Sequence, residues 1–374
     1  MNEPRRDLPQ SALTPGARDE HMGEGVESDS ARFREFDQVR KNHTYRLAES
    51  DEDRFDEDFE VRICDMGAAL EGGVAERAAF GRELGAALEG IGFAILTGHG
   101  VDPALYERCE RRVVELFEEL DEDQKMRYRA QRHGSVSQGY FPIKQSSDIH
   151  PDLVEGWVFC RRAFDLDPEV AFEESKFWAR SGDEALFRQL VQAHEQLVIP
   201  LMQSLLLHLG CEAELYDQRL TGTNFGLRLN YYPRIEAAEE ELGAGRLLGH
   251  EDVDLFTLLP APGQEGLQVW NHASRRWVRL HAPPGSIVFN TGDYLQRISN
   301  DRLPSTTHRV GKPRDGSHRE RARVSFPMAL YVWEDEVLDV LPGLPKPHYP
   351  PIRAITFHTR STAKFYGADY AVED

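Results

Sequence analysis

The chain has 374 residues and a formal net charge of −20 at pH 7, with 40% hydrophobic and 29% charged residues. This is the balance of a globular protein able to bury a large core in one big domain or two ordinary ones. The negative charge argues against nucleic acid or an anionic membrane held by bulk electrostatics. No stretch approaches the roughly 18 apolar residues of a membrane span, and no apolar signal segment follows Met1. Cys64, Cys109, Cys160 and Cys211 form no C-x-x-C pair, so free thiols in a reducing, cytoplasmic setting are expected.

Residues 1–55 are rich in Asp, Glu, Arg, Ser and Gly and read as a flexible polar extension. A single domain over 56–374 is expected to follow. FEVRICDMG (59–67) alternates like a short strand. The run 75–92 puts Ala79, Phe80, Leu84, Ala87, Leu88 and Ile91 on one helical stripe closed by Gly92. FAILTGHGV (93–101) is a second strand, and 102–128 reads as one amphipathic helix opened by an Asp102 cap. Residues 129–165 look looped, with QGYFP (138–142) before an aromatic strand, GWVFCRRAF (156–164). The stretch 183–211 is a long helix, or one broken near Pro200.

Beyond about residue 222 the pattern changes to short strands separated by turns: 225–233, 254–261, 266–272, 276–282, 285–293, 308–311 and 323–333. Such spacing suggests a sandwich or barrel. ITFHTRSTAKFYGADY (355–370) reads as a closing helix. No Pro/Gly/Ser linker separates the halves. One mixed α+β domain is therefore expected, helix-rich to about 222, with a β core over about 223–335.

LLGHEDVDLFTLL sets His250 and Asp252 two apart, and on a strand i and i+2 share a face. His308 in STTHRV is the best third ligand. Two imidazoles and one carboxylate occupy one face of an octahedral ion and leave positions open, which is the ligand set of non-haem Fe(II) oxygenases. An isolated H-x-D pair is weak among 14 His and 64 acidic residues. Context strengthens it. Fifteen residues after His308, Arg323 and Ser325 form another i, i+2 pair, and a guanidinium fork beside a hydroxyl suits the carboxylate of a 2-oxo acid. His99, His208, His272 and His281 lack comparable partners and read as structural.

Several ordered segments then resemble the 2-oxoglutarate/Fe(II) dioxygenase superfamily, in its isopenicillin-N-synthase-like branch. They are IGFAILTGHGVD (91–102), LFEELDEDQKMRY (116–128), QGYFP (138–142), RLNYYP (228–233), HEDVDLFTLL (250–259), GLQVW (266–270), FNTGDYLQRISN (289–300), STTHRV (305–310) and RVS (323–325). Gly98 stands where the family usually has Asn. The resemblance implies a double-stranded β-helix (jelly-roll) core with flanking helices, Fe(II), and 2-oxoglutarate and O2 as cosubstrates. It implies that Arg323 and Ser325, with Tyr232, bind the distal carboxylate, and that Asn230 lies near the keto-acid end. Only one of Tyr231 and Tyr232 can face the pocket. The charged run 311–322 is longer than usual and makes Arg321 a rival to Arg323.

The expected reaction couples 2-oxoglutarate decarboxylation to hydroxylation, desaturation or ring closure at a C–H bond of a small molecule. HEDV is also the form in isopenicillin N synthase, so a 2-oxoglutarate-independent oxidase acting on a peptide or amino acid is the alternative. A non-catalytic binder on the same fold is a weaker one. Candidate substrate contacts are Tyr140, Phe141, Trp157, Phe159, Arg161, Phe225, Tyr331 and Trp333. Trp157, Phe159 and Arg161 share one strand face and would suit a substrate with an apolar part and a carboxylate. The sequence leaves the substrate's identity and the oligomeric state open.

Overall fold

The computed structural model describes residues 38–40, 49–133, 136–143, 153–161, 174–234, 246–311, 313 and 321–366. Most of the expected N-terminal extension and most of the 311–322 run lie outside these. Strand β1 (Ile63–Asp65) leads through helices α1 (Gly67–Glu71) and α2 (Val74–Ile91) to β2 (Phe93–Thr97). Gly92 stops α2 in the left-handed conformation, φ +71°, as the sequence predicted. Helix α3 (Pro103–Glu118) is capped by Asp102, whose carboxylate accepts from Ala104 N.

The expected helix over 102–128 is two helices. Asp121 caps a second one, α4 (Glu122–Met126), through a reciprocal pair with Gln124. The expected loop around QGYFP is a strand. After β3 (Gln131–His133), β4 (Val136–Phe141) pairs with β5 (Glu155–Cys160). Helix α5 (Asp183–Leu209) runs unbroken through Pro200, on which Ser204 Oγ bonds back at 2.7 Å. Close packing on α2 holds it. A Cβ on Gly81 would come within 2.2 Å of Ser204 O, so glycine is what lets the two backbones meet.

The β core follows: β6 (Asn224–Tyr232), β7 (Leu247–His250), β8 (Phe256–Pro260), β9 (Leu267–Asn271), β10 (Arg276–Arg279), β11 (Ile287–Thr291), β12 (His308–Val310), β13 (Arg323–Ser325) and β14 (Met328–Tyr331). The expected strand 323–333 is broken at Phe326-Pro327, because proline cannot donate to a ladder; Pro327 O still accepts from Arg228 N. Between β11 and β12 lies an unforeseen helix, α6 (Asp293–Ile298), and α7 (Ala354–Tyr366) closes the described chain.

One large sheet runs β1-β2-β11-β8-β14-β6-β5-β4-β3, with β13 also on β6; a smaller one runs β10-β9-β12-β7. Phe93, Ile95, Leu259 and Val288 of the large sheet pack directly on Leu267, Val269 and Val278 of the small one. The two sheets therefore face each other as a jelly roll. Residues of opposite parity, such as Ala94, Leu96, Phe256, Leu258, Leu227 and Leu229, join Leu84, Leu88, Val113, Leu201 and Leu205 of the helices. Each strand of the large sheet thus has an inner face toward the small sheet and an outer face toward α2, α3 and α5. No helix of the described residues is long and apolar enough to cross a membrane.

Candidate metal centre

His250 ends β7 and His308 begins β12, and the two are partners in the antiparallel ladder between these strands. Their rings lie 4.3 Å apart. His250 Nδ1 lies 3.0 Å from Leu248 O and His308 Nδ1 3.1 Å from Thr306 O. A carbonyl can only accept, so each Nδ1 donates its proton there and each Nε2 is the ring nitrogen left facing the cluster. Both Nε2 atoms point at Asp252 Oδ1, at 3.7 and 3.8 Å. These three groups form a cluster able to hold a metal ion among the described residues. Their side chains remain 24%, 21% and 11% exposed for His250, Asp252 and His308, so the cluster is reachable.

Asp252 reaches the cluster differently from the expectation. Strand β7 stops at His250, and Asp252 lies beyond it in irregular chain, so strand alternation does not aim it. Hydrogen bonds do. Asp252 Oδ2 accepts from Asn290 Nδ2 and from Thr257 Oγ1, each at 2.8 Å, which leaves Oδ1 toward the histidines. Its carbonyl accepts from Asp293 N at 2.8 Å, and Gly292 N bonds Leu255 O, fastening the segment to the start of α6. A Cβ on Gly292 would come within 2.0 Å of Asp254 Oδ1, so no side chain fits there.

Burial alone would raise Asp252, but His308 and His250, with the bonds from Asn290 and Thr257, hold it below the usual carboxylate range. Burial and the charge of Asp252 push Asp254 well above that range. The two neighbouring carboxyls are thereby pushed in opposite directions, Asp252 toward its ionised form and Asp254 toward its neutral one. The donor set, two imidazole nitrogens and one carboxylate oxygen, fits Fe(II) with open positions.

Asn290 and Thr257 were not visible as site residues in the spacing of the sequence, because their role depends on three strands meeting. Asn290→Ala and Thr257→Val are each expected to weaken Fe(II) binding about 10- to 100-fold with little change in melting temperature. Chelator competition measures this, and wild-type affinity in both would mean that the carboxylate needs no such orientation.

The four residues assigned to the cosubstrate share one inner patch. Arg323 pairs with Tyr232 and Ser325 with Asn230 across β13 and β6. Asn230 Nδ2 donates to Ser325 Oγ at 3.4 Å, and the Arg323 guanidinium lies 5.0 Å from the Tyr232 ring. Arg323 is 1% exposed, yet its Nε and Nη1 have no hydrogen-bond partner among the described residues. Burial lowers its pKa, partly offset by Tyr232 and Glu110. A buried guanidinium with open donors fits a carboxylate ligand. Arg246 stands nearby, equally buried, with Nη2 donating to Arg321 O at 3.2 Å. Burial and Arg323 push its pKa down to about 10. Arg321, the rival, is exposed. Tyr231 faces the other way and stacks on Phe117 of α3, ring centroids 5.3 Å apart.

The same alternation corrects most of the expected substrate contacts. Trp157, Phe159 and Arg161 do share a face, but it is the outer one. Trp157 and Phe159 have no exposed surface and continue into a stack with Trp178 and Phe187. Arg161 is ion-paired with Glu195 of α5 and lies over Phe225, itself fully buried in the helix-side core. Tyr140 is buried and donates to Glu155 Oε2 at 2.6 Å, which also pairs with Lys125 at 2.5 Å. Phe141 alone of the β4–β5 candidates is on the inner face, clustered with Ala130, Val158 and Cys160. Half-buried Tyr331 packs at the edge of that cluster and against His358 of α7, and Trp333 lies just past β14.

The sequence pattern of the 2OG-Fe(II) oxygenase superfamily matches residues 223–329. That of the non-haem dioxygenase in morphine synthesis N-terminal family matches 61–180. Gibberellin 20 oxidase 1 of Oryza sativa subsp. japonica is 31% identical over 265 residues, 68% of each chain. Gibberellin 3-beta-dioxygenase 2-3 of Triticum aestivum is 28% identical over 303 residues, covering 75% of this chain and 78% of that protein. Among solved structures, a full-length Neurospora crassa protein in complex with alpha-KG and thymine shares the fold. It has a TM-score of 0.71 and 20% identity, with 82% of this chain and 97% of that one covered. A 2OG-Fe(II) oxygenase family protein from Caulobacter crescentus matches with a TM-score of 0.66 and 26% identity over 79% and 96%. With both halves matched in order around such a cluster, the chain belongs to the 2OG-Fe(II) oxygenase superfamily and is an Fe(II)- and 2-oxoglutarate-dependent oxygenase.

Proposed function

We propose that His250 Nε2, His308 Nε2 and Asp252 Oδ1 hold the Fe(II), and that Arg323, Ser325 and Tyr232 hold the distal carboxylate of 2-oxoglutarate, with Asn230 beside its keto-acid end. The observation that carries this reading is the pair of buried Arg323 donors, without a partner among the described residues, on a strand of the large sheet that faces the small sheet bearing His250 and His308. Bound together, iron, 2-oxoglutarate and O2 supply the oxidising power to break a C–H bond, with succinate and CO2 as by-products. The chain's own residues do the rest. Asn290 and Thr257 fix which carboxylate oxygen is offered, and the i−2 carbonyls fix the orientation of both imidazoles.

The substrate in this reading is a small molecule, as the gibberellin and thymine named for its relatives are. The isopenicillin-N-synthase-like branch is supported by the HEDV form at 250–253. A cytoplasmic location is supported by four cysteines that are all free, and the absence of a nucleic-acid partner by the charge of −20. The division into an extension before about residue 56 and one oxygenase domain after it belongs to the same reading.

Anaerobic titration tests it. Apo-protein given Fe(II) and then 2-oxoglutarate should develop a visible absorption band that needs both, and should release succinate when O2 is admitted with substrate. Oxygen consumption without 2-oxoglutarate would instead indicate the cosubstrate-independent oxidase.

A further inference from the structure

The described residues ahead of β1 dock at two places on the outside of the β core. Neither stretch, 38–40 or 49–57, falls within a family pattern, since these begin at residues 61 and 223. At the first place Val39 is buried in the helix-side core. Arg297 Nη1 donates to Gln38 O at 2.9 Å and Gln296 Nε2 to Arg40 O at 3.1 Å. Both donors belong to α6, whose first N–H, that of Asp293, holds the Asp252 carbonyl. Gln296 Oε1 also accepts from Ser305 N, three residues before His308.

The second place lies directly behind His308. Leu267, Val269 and Val278 of the small sheet face inward, so Gln268, Trp270, Trp277 and Arg279 face outward, and Arg309 with its partner Gln268. Phe55 forms a parallel bridge with Trp277; Asp56 N donates to Trp277 O at 2.8 Å and Trp277 N to Arg54 O at 2.9 Å. The Phe55 ring packs on Trp270 and Trp277, with the Arg279 guanidinium carbon 3.2 Å from its centre. Asp53 Oδ2 accepts from Arg309 Nη2 at 2.6 Å and from Ser50 N at 2.9 Å. Arg309 Nε donates to Gln268 Oε1 at 2.7 Å, and its guanidinium lies 3.8 Å from the Trp277 ring. Arg309 and Trp277 are each 1% exposed.

Strand β12 needs such a hold. It has three residues, and its register on β7 is irregular between His308 and Val310. A ladder disrupted at that point fixes the strand's position and twist poorly. Arg309 is the residue next to the ligand, on the opposite face. Pinned between Asp53, Gln268 and Trp277, it keeps β12 from sliding or turning, and so keeps His308 Nε2 aimed at Asp252.

We propose that these two docked stretches act as a strap that sets the affinity of the metal centre, with Asp53 as the positioning residue for His308, acting through Arg309. This rests on the metal ligands proposed above. Linkage then works both ways: a strap that favours the metal-ready arrangement is held more firmly, by the same factor, once the metal is bound.

The test uses the full chain, without oxygen, and reads Fe(II) affinity by chelator competition. Asp53→Asn should weaken binding about tenfold, the lower end of what a group behind a metal ligand contributes. Asp53→Glu, which keeps the charge, should regain part of the loss. In an Arg309→Gln background Asp53→Asn should cost nothing further, because its effect passes through Arg309. Glu57→Gln is the control: its partner Arg279 lies on β10, which carries no ligand, and affinity should stay within about twofold. In the wild-type protein, Fe(II) should slow hydrogen exchange of the Asp56 amide. Wild-type affinity in Asp53→Asn would overturn the inference, whether or not the melting temperature falls. So would an undiminished loss in the Arg309→Gln background, or exchange at Asp56 that is indifferent to the metal. A wild-type protein that binds no Fe(II) would strike the ligand assignment instead, which keeps the two failures apart.

Discussion

Replacing Asp252 with alanine is expected to strip the protein of iron and abolish succinate formation. Asp252 Oδ1 is the one oxygen donor in the cluster, and both Nε2 atoms converge on it. Two imidazoles alone leave Fe(II) with two protein bonds and no charge to offset its own, so retention should fall to that of a surface histidine pair. The loss is not only of a ligand. Asn290 Nδ2 and Thr257 Oγ1 both donate to the other oxygen and would be left without an acceptor in a part-buried site, at about 1–3 kcal/mol. Part of that is regained, because Asp254 Oδ2 sits 2.7 Å from the same Thr257 hydroxyl and can accept from it once Asp252 is gone. The apo variant should therefore fold with a modestly lower melting temperature and bind no iron. Metal analysis after reconstitution and a succinate assay check this. A variant that keeps stoichiometric iron would remove Asp252 from the ligand set.

The parts of the site legible in the sequence are those that depend on spacing along one short segment. Arg323 and Ser325 share a face of a three-residue strand and were readable as such. The stop of α2 at Gly92 and the cap at Asp102 were also local and held. His250 and Asp252 were identified correctly as neighbours in space, though for a reason the structure replaces: contacts to β8 and β11 aim the aspartate. Features that depend on which face meets which layer were not legible. Trp157, Phe159 and Arg161 alternate as expected, but alternation alone does not say which face meets α3 and α5. One anchor resolves this. Once Asn230 and Tyr232 are inner, Arg228 must be inner too, and register carries Gly156 and Val158 inward and Trp157 outward. The break at Asp121 was overridden by a continuous amphipathic stripe. The persistence of α5 through Pro200 reflects packing on α2 that no local rule contains.

Replacing Arg323 with methionine should raise the dissociation constant for 2-oxoglutarate by more than about thirtyfold, and the apo-protein should become no less stable, or more so. The two effects share one cause. Without cosubstrate, a guanidinium 1% exposed keeps two nitrogens without a partner among the described residues, and a second buried guanidinium, Arg246, stands close enough for Arg323 to lower its pKa. Tyr232 and Glu110 offset this only in part. Exchanging such a charge for a hydrophobe of similar length is commonly neutral or stabilising by up to about 4 kcal/mol. With cosubstrate the balance reverses, since losing one partner of a buried, hydrogen-bonded charge pair costs about 2–5 kcal/mol, or roughly thirty- to several-thousandfold in affinity. Iron binding at the triad should be unchanged, because no ligand is touched. Arg323→Lys keeps the charge but not the fork and should fall between. Calorimetric titration of 2-oxoglutarate and thermal melts of the cosubstrate-free protein measure both quantities. A destabilised apo-protein with unaltered 2-oxoglutarate affinity would make Arg323 a structural residue of β13 and leave the cosubstrate to be held elsewhere.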